Sequence, residues 1–152
     1  MPVFRRCPSY PNTESPALAR KGSTTNRPKF RVLVVDDDGP MRRLIADLLS
    51  EHGYQCMTAR NGMEALNQFT GKTVDAVITD IEMPQMDGIT LSRILSSFCP
   101  NLPIMIITGN MGEDLPQLAI EAGAWDFINK PFSINESMLR FTRMMDYCRH
   151  SV

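Results

Sequence analysis

From residue 30 onward, short unbroken apolar runs alternate with segments whose apolar residues recur every three or four positions. RVLVV (31–35), YQCMTA (54–59), VDAVIT (74–79), PIMIIT (103–108) and WDFIN (125–129) are runs of strand length, and most are too continuously apolar for a strand with one face in water. Between them the spacing is helical. Gly39-Pro40 opens the first helix, with the proline in the first turn, where a missing N–H costs nothing. Leu44, Ile45, Leu48 and Leu49 form its apolar stripe, and Gly53 ends it. Asn61 caps a second helix carrying Ala65, Leu66 and Phe69, which ends near Gly71. Leu91, Ile94, Leu95 and Phe98 mark a third. The stretch 112–123, with Pro116 early in it and Gly123 closing it, is a weaker fourth. Ser133, with Glu136 three residues on, forms a capping box for the last helix.

Five strands alternating with five helices imply βαβ crossovers and a parallel sheet covered on both faces. Right-handed crossovers leave few topologies. The expected fold is therefore α/β, a doubly wound five-stranded parallel sheet of order 2-1-3-4-5 flanked by five helices, with its ligand crevice outside the carboxyl ends of the strands. The pattern does not extend into residues 1–29, which are rich in Pro, Ser, Thr and Arg and read as a disordered tail. The predicted organisation is a basic tail, 1–29, and one domain, 30–152.

Charge sharpens this division. The formal net charge is −1, but the first 29 residues set Arg5, Arg6, Arg20, Lys21, Arg27 and Lys29 against Glu14 alone, leaving −6 for the remainder. A basic tail can favour nucleic acid or an anionic surface, or be merely solvated. Cys7, Cys56, Cys99 and Cys148 are dispersed without a CxxC pair, which argues for reduced structural thiols in a cytosolic protein rather than zinc ligands or a secreted disulfide framework. Two histidines, His52 and His150, are too few and scattered for a histidine metal site. No apolar run approaches the ~18 residues of a membrane span, and the N-terminus has no apolar segment of a signal peptide.

The crevice makes a specific demand: chemistry should appear just after the strands, and it does. The first strand ends in Asp36 and Asp37, the third in Asp80, the fourth in Thr108 and the fifth in Lys130-Pro131. Two unit charges ~4 Å apart interact by about 4 kcal/mol at an effective dielectric of about 20, so gathered carboxylates call for a cation. Mg²⁺ is a hard ion held by one or two carboxylates and often bridging to phosphate oxygens. Asp36 and Asp37 could serve it. Asp80, on the central strand, could be both a ligand and a nucleophile toward phosphorus. Thr108 could donate to a phosphoryl oxygen and Lys130 neutralise another, since phosphoryl transfer needs mainly positioning and charge neutralisation. No general base is required, because the nucleophile is already ionised at neutral pH.

The segments VLVVDDD, VDAVITDIEMPQMDG, PIMIITGN and AGAWDFINKPF, in that order, resemble the response-regulator receiver domain of two-component signalling, over residues 30–148 or so. The resemblance implies that Asp80 is the phosphoacceptor. It also implies that Asp36, Asp37, Asp80 and the backbone carbonyl of Glu82 hold Mg²⁺ or Mn²⁺. Thr108, Lys130 and Phe127 match the phosphate-binding and switch residues, Gly109 a position kept small for access, and Pro84 and Gly88 the residues shaping the loop after Asp80. Asp38 fits a helix-capping role, while Glu82 and Asn110 flank the site where they could tune water access. A cytoplasmic signalling protein is implied, not an enzyme beyond promoting its own phosphorylation and dephosphorylation. Its expected partners are a histidine kinase or phosphotransfer protein, an unknown downstream protein and a possible second copy, with neither a membrane nor direct nucleic-acid binding by the receiver. No output domain follows the last helix, which favours a single-domain receiver. A receiver fragment of a longer regulator, with a DNA-binding or enzymatic output domain, is the alternative. VLVVDDDG also resembles the opening motif of haloacid-dehalogenase-type phosphatases, with Asp36 as nucleophile and Asp38 as acid/base, but that reading leaves Asp80 and the EMPQMDG loop without a role.

Overall fold

A computed structural model describes residues 30–109 and 112–150. The readings placed on residues 1–29, on Cys7 and on Asn110 fall outside them. The strands are β1 (Arg31–Val35), β2 (Gln55–Ala59), β3 (Ala76–Asp80), β4 (Ile104–Thr108) and β5 (Asp126–Asn129). The helices are α1 (Gly39–Glu51), α2 (Gly62–Gly71), α3 (Gly88–Phe98), α4 (Leu115–Glu121) and α5 (Ile134–His150). All strand pairs are parallel, in the order β2-β1-β3-β4-β5, as the alternation of apolar patterns predicts.

Successive strand residues point to opposite faces, and the core divides accordingly. Val32, Val34, Ala76, Ile78, Met105, Ile107 and Ile128 pack with Ile45 and Leu49 of α1 and with Met138, Phe141, Met144 and Met145 of α5. Leu33, Val35, Val77, Ile104 and Ile106 pack with α2, α3 and α4 through Ala65, Leu91, Leu95 and Ala119. This phase decides which side chains meet at the carboxyl ends of the strands.

The helix ends follow from the residues expected to form them. Asp38 caps α1 by accepting from Met41 N–H at 3.3 Å, and Asn61 caps α2 by accepting from Glu64 N–H at 2.8 Å. In the capping box, Ser133 Oγ accepts from Glu136 N–H at 3.4 Å. α1 closes at Gly53, whose φ of 90° only glycine adopts without strain. There Gly53 N–H donates to Ser50 O and Tyr54 N–H to Leu49 O, both at 3.1 Å, a Schellman closure. The fourth helix departs from expectation. Its regular part is seven residues, because residues 112–114 precede the helix and Asp114 makes no capping side-chain bond. Strand limits also shift. Tyr54 precedes β2, its ring against Phe141 at 5.1 Å. β3 begins at Ala76 and runs on to include Asp80, and β4 and β5 each begin one residue later than expected, leaving Pro103 and Trp125 before them.

Among the described residues no cysteine is in a disulfide; Cys99 is buried and Cys56 and Cys148 half-buried. Burial pushes the Cys56 and Cys148 thiols up, slightly offset at Cys56 by Ser50. A raised thiol pKa means less thiolate at a given pH. Alkylation of both by iodoacetamide at pH 8, followed by peptide mass mapping, should be several-fold slower in the native than in the unfolded protein, and should accelerate as pH rises. Equal native and unfolded rates would show that neither thiol is shielded.

Candidate functional site

Asp36, Asp80 and Lys130 lie at the ends of three strands in phase with the α1 and α5 face, so their side chains project into one pocket. Asp36 is 2% and Asp80 8% exposed, while Asp37 is exposed. Lys130 Nζ reaches both buried carboxylates, 3.3 Å from Asp36 Oδ2 and 3.3 Å from Asp80 Oδ2. The remaining oxygens are held by backbone: Asp36 Oδ1 accepts from Asp38 N–H at 2.9 Å, and Asp80 Oδ1 from Ile81 N–H at 2.7 Å. One carboxylate oxygen from each of Asp36, Asp37 and Asp80 can be chosen so that all three lie within 4.8 Å of one another. Arg42, which sequence reasoning passed over, donates from Nη1 to the Asp36 carbonyl at 2.6 Å. Its position one turn into α1 was the available signal.

Burial raises the Asp36 carboxyl above its ordinary range. The Asp38 N–H and Lys130 oppose the rise, and Asp80 adds to it. For Lys130, burial acts to lower the ammonium pKa, but the attraction of Asp36 and Asp80, with the hydrogen bonds to both, prevails and holds it above its ordinary value. The ion pair alone would push Asp36 down, so on that side desolvation wins. Three carboxylates against one ammonium leave a net negative, oxygen-lined pocket. That donor set fits a hard divalent cation.

The loop from β3 to α3 closes tightly on the end of β3. Gly88 N–H donates to Ile81 O at 2.9 Å, and a β-carbon on Gly88 would overlap the Asp80 carbonyl oxygen. Within the loop, Met86 N–H donates to Pro84 O at 2.9 Å across Gln85, whose φ is 72°. That γ-turn conformation is strained for a residue with a β-carbon, by about 1 kcal/mol. Glu82 is exposed at the loop's start. Thr108 is buried at the end of β4, and Lys130 N–H donates to its carbonyl at 2.8 Å. At Gly109 a β-carbon would make only ordinary contacts, 3.8 Å from Lys130 Cβ, so packing does not demand the glycine.

The family model described as the response regulator receiver domain matches residues 32–141. The chain belongs to the response-regulator receiver family. This receiver is 36% identical over 116 residues to the DNA-binding transcriptional regulator NtrC of Escherichia coli (strain K12), covering 76% of this chain and 25% of that one. It is 36% identical over 115 residues to the response regulator MprA of Mycobacterium sp. (strain KMS), covering 76% and 50%. It thus spans a quarter to a half of these relatives' length. Among solved structures, response regulator TrrA of Thermotoga maritima, in complex with Mg²⁺ and BeF, superposes with a TM-score of 0.70 at 30% identity, over 76% of this chain and 98% of that one.

As a receiver, the chain is a module of two-component signalling, and the phosphatase alternative built on Asp36 and Asp38 falls. Asp38 is instead the α1 cap. The other candidate residue, Phe127, is half-buried on β5 and packs toward α3 and α4, the face opposite the carboxylates. Beside it, Trp125 is exposed and tilted against Tyr147 at 4.5 Å, and Arg140 donates to the Phe127 carbonyl at 3.2 Å. No helix among the described residues is long and apolar enough to cross a membrane.

Proposed function

We propose that this receiver takes a phosphoryl group onto Asp80 from the phosphohistidine of a histidine kinase or phosphotransfer protein. An Asp80 oxygen attacks phosphorus. The P–N bond breaks as the acyl-phosphate P–O bond forms, and the imidazole leaves with the electron pair. Asp36, Asp37 and Asp80, with the Glu82 carbonyl, would hold Mg²⁺ or Mn²⁺, which when bound supplies positive charge against the phosphoryl oxygens. Lys130, already against Asp80, neutralises a further oxygen, and the Thr108 hydroxyl donates to another. Gly109 leaves the approach open, and Pro84 and Gly88 shape the loop beside it. The observation that carries this reading is Asp80 itself, a buried carboxylate on the central strand with two more carboxylates and one ammonium converging on it.

The chain then works as a cytoplasmic phosphoacceptor, promoting only its own phosphorylation and dephosphorylation. It passes the signal to a downstream protein or a second copy through the face made by α4, β5 and α5. Residues 30–152 form the receiver and 1–29 a basic extension. Because the chain spans only part of NtrC and MprA, a second reading places it as the receiver of a longer regulator with an output domain.

Incubation with acetyl phosphate and Mg²⁺, followed by intact-mass measurement, should show one added phosphoryl group. Asp80→Asn should show none, and EDTA should suppress incorporation in the native protein. Labelling that persists in Asp80→Asn would sink the assignment.

A further inference from the structure

The β3–α3 loop is fixed at both ends, by Asp80 on the sheet and by Gly88 against the Asp80 carbonyl. What fixes its middle is a contact outside the pocket. Gly62, the first residue of α2, is buried, and a β-carbon built on it would lie 2.8 Å from Met86 Sδ and 2.9 Å from Met86 Cβ and Cγ. Real β-carbons essentially never come so close, so the Met86 side chain occupies the space that the missing side chain leaves. Gly62 is a firm seat. The turn before it is held by Asn61, whose side chain accepts from Glu64 N–H at 2.8 Å and whose carbonyl accepts from Ala65 N–H at 3.1 Å. Met86 is also the residue that closes the strained turn at Gln85. A turn in an unfavourable conformation relaxes unless its surroundings over-determine it. Here those surroundings include the Met86 thioether side chain pressed on one glycine of the neighbouring helix, beside the packing of Met83 and Met86 against the core.

We propose that Met86, seated on Gly62, is a positioning residue for the phosphoacceptor centre: it holds the β3–α3 loop in the conformation that presents the Glu82 carbonyl beside Asp80. The proposal rests on the reading of Asp36, Asp37 and Asp80 as a divalent-cation and phosphoacceptor site. Without the seat the loop would sample relaxed conformations, and the oxygen ligand set would be complete only part of the time. Cation affinity falls by the fraction of molecules that are competent.

The test uses the full chain with Met86→Ala, with Met86→Leu as the volume-conserving rescue, and with Gly62→Ala, which disturbs the same contact from the other side if Met86→Ala fails to fold. Two quantities are read: hydrogen exchange of the Met86 and Gly88 amides in metal-free protein, and the Mg²⁺ dissociation constant from an amide-shift titration. Met86→Ala and Gly62→Ala should exchange faster at both amides and bind Mg²⁺ about tenfold more weakly, the scale of losing a group that supports a metal ligand. Met86→Leu should stay within about twofold of wild type. A lower melting temperature with unchanged loop exchange and unchanged Mg²⁺ affinity would reduce Met86 to core packing and overturn the proposal. So would faster exchange with unaltered affinity. A wild-type protein without any Mg²⁺ response would instead overturn the reading of the carboxylate site, while the exchange measurement still decides whether the seat holds the loop.

Discussion

Lys130→Met is expected to destabilise the metal-free protein by about 3 kcal/mol, the scale of removing one partner from a buried ion pair. At ~4 °C per kcal/mol for a domain of this size, the melting temperature in EDTA should fall by about 12 °C. The reason lies in what remains. Lys130 is the ammonium within 3.3 Å of both Asp36 and Asp80, whose side chains are 2% and 10% exposed. Methionine fills comparable volume but leaves two carboxylates facing each other in a pocket already costly to Asp36 through burial. A cation bound to the native state alone stabilises it by RT ln(1 + [L]/Kd), and it would take over part of the lysine's neutralising role. Millimolar Mg²⁺ should therefore raise the melting temperature more in Lys130→Met than in wild type. Arg140 offers the contrast. Its pairs with Asp126 at 3.6 Å and Glu136 at 3.4 Å are substantially exposed, and such pairs contribute under about 1 kcal/mol. A Lys130→Met melting temperature in EDTA within about 3 °C of wild type would show that the carboxylates do not depend on the ammonium.

The parts of this molecule legible in its sequence are those that obey a period. The strands and their parallel order were readable from the alternation of apolar runs with helical spacing. The phase that sends Val32, Val34, Ala76 and Ile78 to one face and Leu33, Val35 and Val77 to the other came only with the structure, because continuously apolar strands look alike on both faces. The same phase carries Asp36 and Asp80 into one pocket. Caps at Asp38, Asn61 and Ser133 were readable because a side-chain oxygen before a helix has few other uses. The α4 limits were not. A short helix with Pro116 in its first turn and no capping bond at Asp114 owes its extent to packing by Ala119 and Ala122 against the core. Nor could spacing show that Met86 would sit on Gly62, since that contact joins segments whose approach is set by the whole sheet. Glycines were ambiguous for the same reason: Gly53 is required by its dihedral angle, whereas Gly62 and Gly88 are required by what presses on them.

Thr108→Ala is expected to separate phosphorylation from its structural consequence. The mutant should still be labelled on Asp80, because Asp80, Asp36, Asp37 and Lys130 are untouched, and it should lose about 1 kcal/mol of stability at most from the missing hydroxyl. In wild type, phosphorylation or beryllofluoride should change amide shifts across Gly112–Gly123 and Trp125–Phe127. The path runs through neighbouring strands. Thr108 is buried at the end of β4, where the register sets it opposite Asn129 and sets Ile106 opposite Phe127. Thr108 is in phase with Ile104 and Ile106, so it shares with Phe127 the face toward α3 and α4. A hydroxyl drawn toward a phosphoryl group vacates space on that face, and Phe127, only half-buried, has room to turn into it. The element it would displace is the weakest in the fold, since α4 has seven residues and no side-chain cap. A ligand shifts a two-state equilibrium only by its differential affinity for the two states, and alanine removes the group through which that difference is felt. The alanine mutant should therefore lose more than half of the wild-type shift changes at α4 and β5 while keeping those around Asp80. If it reproduces the full wild-type pattern, Thr108 and Phe127 are not the coupling, and the altered surface must be reached through the β3–α3 loop instead.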